Sequence, residues 1–291
     1  MEQDNSSNGN DSGFFQLYAL FLEIDSVSSF INGRNRFLIQ CFCNVYCLEA
    51  MRKEALKNKD SQNLKKIQNK LKEGKESLKN EFRKYISQRG RHRIEIWADS
   101  RNSSTYPYII ENPNISKAFL CLVEAIEQYE RWRSALNNEQ ILVIYRKNLE
   151  DRQKHYGGDE CFKGFNEELL QKIDISKLTN NKMLKQTLIE FHNAISHLVA
   201  VYYGRNQERN KERAINHFKR GALDSYKAVI KDFYHLRNAK KVTYKLPLEF
   251  IENIRKEEYL SIGSDNVLFE TYKNITSLII SNINEQNKLQ A

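Results

Sequence analysis

The chain has 291 residues, 40% of them hydrophobic, which is enough to bury a sizeable core, and only 3 Pro and 11 Gly interrupt it. A formal charge of +9 admits nucleic acid or another polyanion as partner, yet acidic residues are mixed through most of the basic segments, as on a solvated lysine-rich surface. No apolar run reaches the roughly 20 residues that span a bilayer, and the first, Phe14 to Ile24, follows Glu2, Asp4 and Asp11 rather than the basic start of a signal peptide.

Residues 1–12 contain no apolar side chain after Met1 and are expected to form a disordered tail. A short apolar helix follows, carrying Phe14, Phe15, Tyr18, Phe21, Leu22 and Ile24 and ending at Asn32-Gly33. The next helix, from about Asn35 to Lys57, is apolar on nearly all sides at first and charged later. A third, capped by Asp60 or Ser61, carries Leu64, Ile67, Leu71, Leu78, Phe82 and Tyr85 at spacings of 3, 4 or 7, with Lys and Glu between them. A seam this narrow buries against one partner, so 35–88 reads as a long antiparallel hairpin whose tip projects, with Gly74 placed on its polar side.

A break follows. Arg91 to Trp97 alternates polar and apolar residues like a short strand, and Pro107 and Pro113 mark loops, which predicts a minor β/loop insertion around 91–112. Arg89, Arg91, Arg93 and Arg101 stand here with Trp97 interleaved. Cations beside aromatics suit a phosphate backbone and stacked bases, so these five residues are the expected contacts for RNA or single-stranded DNA.

Ser116 or Asn114 is expected to cap a helix running through Phe119, Leu122, Ile126, Tyr129 and Trp132. Another spans Ile141 to Arg152 and ends at Gly157-Gly158. The mixed segment after it offers a domain boundary, dividing a helical region at 13–160 from a C-terminal bundle at 161–291. In that second part 183–203 and 211–233 are predicted to form an antiparallel pair across the polar loop 204–210. Pro247 opens a further helix, and a last one runs through Ile283.

The helix over 211–233 divides its chemistry most sharply. Ile215, Phe218, Ala222, Tyr226, Val229 and Phe233 form an apolar stripe. Ala214, Gly221, Ser225 and Ala228 form a sector of small residues that admits a neighbouring backbone, while Arg213, His217, Arg220 and Asp224 share an edge left to water or a partner. An internal echo sets Ala194-Ile195-Ser196-His197-Leu198 against Ala214-Ile215-Asn216-His217-Phe218. His192 and His197 lie on opposite flanks of their helix and read as packing histidines.

These paired helices, with Arg209, Asn210, Arg213 and His217 at their junction, resemble the HEPN superfamily, small helical domains found in bacterial toxin and anti-phage systems. Nuclease members of that family carry an Arg, usually followed by a polar residue such as Asn, with four to six residues in total between the Arg and a His. Here seven residues separate Arg209 from His217 and three separate Arg213 from His217. The resemblance covers roughly 180–235 and implies Arg209, Arg213 and His217 as catalytic residues.

The five cysteines, an odd number without a secretory leader, read as reduced thiols of a cytoplasmic protein. On a helix Cys41 lies about 200° from Cys43 and cannot join Cys43 and Cys47 around a metal, so the trio reads as small buried hydrophobes. No Walker loop, dinucleotide fingerprint, HExxH or Gly-x-Ser-x-Gly is present, and neither metal nor cofactor is expected. The expectation is a non-enzymatic, basic, all-α subunit of a bacterial assembly, one of anti-phage defence by the HEPN resemblance, binding nucleic acid, a partner protein or a second copy. The alternative is a metal-independent ribonuclease using the His217 edge.

Overall fold

The computed structural model describes residues 18–19, 21–22, 36–87, 112–155, 183–243, 247–261 and 266–290. Eight helices take up most of them: α1 (Arg36–Lys57), α2 (Ser61–Ser87), α3 (Pro113–Ala135), α4 (Asn138–His155), α5 (Lys185–Tyr202), α6 (Gln207–Asn238), α7 (Leu248–Ser261) and α8 (Asn266–Gln290). The protein is all-α, with no strand among the described residues. The expected tail, the expected β/loop insertion short of Asn112, and Arg89, Arg91, Arg93, Trp97 and Arg101 lie outside those residues. Among the described residues no helix is long and apolar enough to cross a membrane.

The chain packs as two compact units, both discontinuous in sequence. One comprises 1–123 and 185–221, the other 124–184 and 222–291. This grouping differs from a division at residue 160. The reason is that α3 and α6 are each long enough to contribute their first part to one unit and their second part to the other, which a boundary sought in loops does not detect.

In the first unit α1 and α2 pack on each other, and α1 packs on α5. The turn between α1 and α2 is closed at both ends. Asp60 N–H donates to the Ala55 carbonyl at 2.9 Å, and Lys59 takes the left-handed conformation at φ 53° that ends α1. Asp60 then caps α2, its Oδ1 accepting from the Asn63 amide at 3.1 Å and its Oδ2 from Asn63 Nδ2 at 2.6 Å. These bonds hold its carboxyl below the usual value. Along the seam Leu71, Leu78 and Phe82 are buried, whereas Leu64 and Ile67 are only half-buried, so the hairpin is anchored at its base and open at its tip. Gly74 lies toward α1, not on the polar side. A Cβ there would meet Leu48 Cδ1 at 3.5 Å and Val45 Cγ2 at 3.6 Å.

The base is fixed by aromatic contacts, each worth about 0.5–1.5 kcal/mol beyond the area it buries. Tyr18 meets Phe42 at 4.8 Å, Phe42 meets Phe82 at 6.1 Å, Tyr46 meets Phe119 at 4.8 Å and Phe191 at 6.1 Å, and Phe119 meets Phe218 at 5.2 Å between centroids. Cys43 and Cys47 are buried on one face of α1 with sulfurs 3.9 Å apart, and Cys41 faces Ser77 on α2. The cap of α3 is Asn112 rather than Ser116 or Asn114: its Oδ1 accepts from the amides of Asn114 and Ile115 at 3.1 and 3.2 Å. Pro113 occupies the first helical position, where its missing N–H costs nothing.

The second unit is built from the remainders of α3 and α6 with α4, α7 and α8. Its core holds Trp132, Tyr226, Phe233, Leu236, Tyr272, Ile275, Ile279 and Ile283. A reciprocal capping box opens α4. Asn137 Oδ1 accepts from the Gln140 amide at 2.9 Å, and Gln140 Oε1 accepts from the Asn137 amide at 3.0 Å. Helix α6 continues past Phe233 because Leu236, fully buried, extends the same stripe one more turn.

Candidate functional site

The site lies wholly in the first unit, where α5 and α6 run antiparallel. Contacts at Thr187–Gly221, Glu190–His217 and His197–Asn210 follow one another in opposite order along the two helices. Gly204, at φ 73°, closes α5 with the Arg205 amide bonded to the Ala200 carbonyl at 2.9 Å, and α6 starts three residues later. The close approach of the two helices depends on the small sector of α6. A Cβ on Gly221 would lie 3.0 Å from Leu122 Cδ1 and 3.1 Å from Glu190 Cβ. Glu190 Cβ is one bond from the backbone of α5 and cannot yield without moving the helix.

That approach seats Glu190, 3% exposed, beneath the edge of α6. His217 Nδ1 lies 2.7 Å from Glu190 Oε2, and Gln186 Nε2 donates to Glu190 Oε1 at 3.2 Å. Arg220 Nη1 stands 3.9 Å from the same oxygen, while the Arg220 side chain is mostly exposed. His217 is therefore no open edge residue. With its side chain 20% exposed, it takes its carboxylate from the neighbouring helix rather than from along its own.

A second imidazole stacks on the first. The rings of His197 and His217 are 5.4 Å apart between centroids and inclined by only 17°. His197 Nδ1 lies 2.9 Å from Asn210 Oδ1, and Asn210 Nδ2 donates to the Arg205 carbonyl at 2.8 Å. A carbonyl only accepts, so the Arg205 bond orients the Asn210 amide with its oxygen toward His197. His197 Nδ1 must then carry a proton, leaving Nε2 as the basic nitrogen of the neutral ring. Burial holds His197 below the ordinary histidine value. The Asn210 bond opposes this, and nearby His217 and Arg213 reinforce it. Opposite the Glu190 carboxylate, His217 likewise carries its proton on Nδ1, so both rings are tethered through Nδ1 and both Nε2 atoms are turned away from their tethers.

Of the residues singled out in sequence, Arg213 and His217 come together with this pair. Arg213 is exposed one turn before His217, close enough to act on His197, and Arg209 is exposed a further turn back on the same face. Glu190 and His197 are the additions. Glu190 was visible as the lone acidic residue of α5, in a helix otherwise rich in apolar side chains. His192 does pack as expected, its Nδ1 2.8 Å from the Tyr18 hydroxyl. Among the described residues no group of three or more His, Cys, Asp or Glu is arranged to hold a metal ion.

Gly221→Ala tests the close approach. Helix propensity alone favours Ala by about 1 kcal/mol, but overpacking against Leu122 and Glu190 costs about 1–3 kcal/mol. A net loss of stability, measured by denaturant unfolding, is expected, with displacement of the His217 and His197 ring resonances.

These features define a helical protein with two stacked imidazoles on antiparallel helices, one tethered to a buried carboxylate and the other to an asparagine amide. No protein-family model, curated protein or solved structure matches the chain.

Proposed function

We propose that the protein is a metal-independent ribonuclease acting from a cytoplasmic location, with His197 and His217 as its proton-transfer groups. The observation that carries this reading is the buried Glu190 carboxylate 2.7 Å from His217 Nδ1, beside a second imidazole whose own Nδ1 is tied to Asn210. Among the described residues no hydrogen-bond partner lies against Nε2 of either ring.

The chemistry follows from the two tethers. Neutral His197 accepts the proton of a ribose 2′-hydroxyl at Nε2, and the 2′-oxygen attacks the adjacent phosphorus. The 5′-oxygen leaves with a proton from Nε2 of the His217 imidazolium, giving a 2′,3′-cyclic phosphate and a free 5′-hydroxyl. Arg213 and Arg209 neutralise the phosphate. The nucleophile belongs to the substrate, so no metal-bound water is required, and DNA, lacking the 2′-hydroxyl, is not cleaved.

The test is cleavage of mixed RNA by the purified chain, with chelator, beside His197→Ala and His217→Ala. Cleavage should persist with chelator and fall by roughly 10²- to 10⁴-fold in either variant. Because His197 titrates below its ordinary value, its base form survives to lower pH, and the acidic limb of kcat/KM should fall below about pH 6.5. Undiminished cleavage in the variants sinks the proposal. Binding of RNA without cleavage favours instead a non-enzymatic subunit of a bacterial assembly, contacting nucleic acid or a partner protein.

A further inference from the structure

We propose that the tip of the α1–α2 hairpin is a second, sequence-independent contact for the phosphate backbone of RNA. Between residues 57 and 72 the chain carries Lys57, Lys59, Lys65, Lys66, Lys70 and Lys72 against a single acidic residue, Asp60. All six lysines are exposed. Asp60 caps α2, both of its oxygens accepting from Asn63, and its charge acts on Lys66 among the six.

The contrast with the base of the same hairpin is what gives the tip meaning. Nearer the base, Arg52 and Lys75 share Glu49 at 2.7 and 2.8 Å, Lys79 pairs with Glu76 and Lys84 with Glu81. Among the described residues no carboxylate pairs with any of the six tip lysines. Like charges one helical turn apart, as at Lys66 and Lys70, disfavour each other, and Asp60, which acts on Lys66, does not offset all six. A ligand carrying regularly spaced negative charge would.

The residue type and the geometry both point to a backbone rather than a base. The tip has six lysines and no arginine, which gives compact point charges on flexible stems and none of the planar forks that read carboxylates or guanine edges in two-pronged fashion. Lys66 and Lys70 stand one turn apart, about 6 Å, on one line of α2. Lys65 and Lys72 occupy a second line, about 130° round the helix, so the cations wrap α2 instead of marking a pocket. Such contacts position a strand without reading its sequence.

The hairpin also has a fixed relation to the imidazole pair, since both belong to the first unit. Tyr46 of α1 packs on Phe191, the residue after Glu190, at 6.1 Å. From Tyr46 to Lys57 is about 16 Å along the helix. A long strand can meet both places, and a dinucleotide only one. The choice of RNA among polyanions rests on the ribonuclease reading, whereas the positive tip itself does not.

The experiment changes Lys65→Gln, Lys66→Gln, Lys70→Gln and Lys72→Gln together in the full chain and titrates long single-stranded RNA across a range of salt. Affinity should fall by about tenfold or more, and the slope of log K against log salt should flatten by up to about 3. The matching set of four Lys→Arg changes should keep the binding. Cleavage of a dinucleotide by the Gln variant should equal that of the unaltered chain. If the unaltered chain cleaves nothing but the titration behaves as stated, the tip proposal stands and the ribonuclease reading falls. Unchanged RNA affinity and slope overturn it, as does equal loss in the Arg set. Intact RNA binding with lost binding to phosphatidylserine vesicles overturns it too, in favour of a membrane surface.

Discussion

Replacing Glu190 with Gln is expected to slow RNA cleavage by roughly 10²- to 10⁴-fold while the helices remain folded. The carboxylate accepts from His217 Nδ1 at 2.7 Å and from Gln186 Nε2 at 3.2 Å. A Gln side chain fills the same volume, but only its oxygen accepts. If the Gln186 bond holds that oxygen, the new amide NH₂ faces His217 and makes Nδ1 the acceptor. The proton then moves to Nε2, and the ring is locked in the wrong tautomer for shuttling at that atom. Glu190→Ala is a different experiment. It leaves Gln186 and His217 without their shared acceptor beside the close approach at Gly221, and should cost about 2–4 kcal/mol. Glu190→Asp, which keeps the charge but shortens the reach, should recover part of the activity. Histidine ¹⁵N shifts separate positioning from simple loss of fold: the Gln variant should move the His217 proton between ring nitrogens without altering the His192 signal. A Gln variant of unaltered rate with the proton still on Nδ1 would exclude Glu190 from the mechanism.

The residues behind that prediction were unequally legible in the sequence. The apolar stripe of α6 is read directly from its period, and Phe218, Ala222, Tyr226, Val229 and Phe233 are indeed buried. The small sector announces that some backbone comes close, and Gly221 is where it does. What helical periodicity cannot supply is the register between two helices. Only the antiparallel offset that puts Thr187 at Gly221 also puts Glu190 at His217 and His197 at Asn210. The echo of Ala194–Leu198 in Ala214–Phe218 held more than its length suggested, since its two histidines are the stacked pair. The flank position of His197 on α5 is a property of one helix, whereas its ring contact with His217 is set by the second. Likewise the cap at Asn112 is hidden by the double meaning of Pro113, since proline marks loops and also, at the first helical position, the start of a helix.

The second large effect is expected in the other unit, where Asp232 should make the protein less stable as pH rises. Asp232 is 5% exposed, and its Oδ2 accepts from Trp132 Nε1 at 3.3 Å while its Oδ1 accepts from Asn148 Nδ2 at 3.5 Å. Burial outweighs these two bonds and the nearby charges of Arg133 and Lys231, pushing the carboxyl from 3.8 up to about 6. Between those two values the folded chain holds a proton that the unfolded chain has released, so stability falls as pH rises through this window. Two pK units correspond to about 3 kcal/mol, an upper figure for a carboxylate with two donors. Below pH 4 both states are protonated and no penalty remains. Above about pH 6 it is fully developed. Asp232→Asn keeps an acceptor for Trp132 and carries no charge. Its amide hydrogen can meet Asn148 once that side chain turns its oxygen inward. The variant should therefore gain about 1–3 kcal/mol at pH 8, gain nothing at pH 4, and show a flatter stability profile between them. Trp132→Phe should act in the opposite direction at pH 8, because it withdraws the indole N–H from the ionised form and leaves a cavity in the core. Denaturant unfolding of the three chains at pH 4, 6 and 8 measures all of this at once. If Asp232→Asn is no more stable at pH 8 than at pH 4 relative to the unaltered chain, Asp232 ionises normally and burial does not govern its proton.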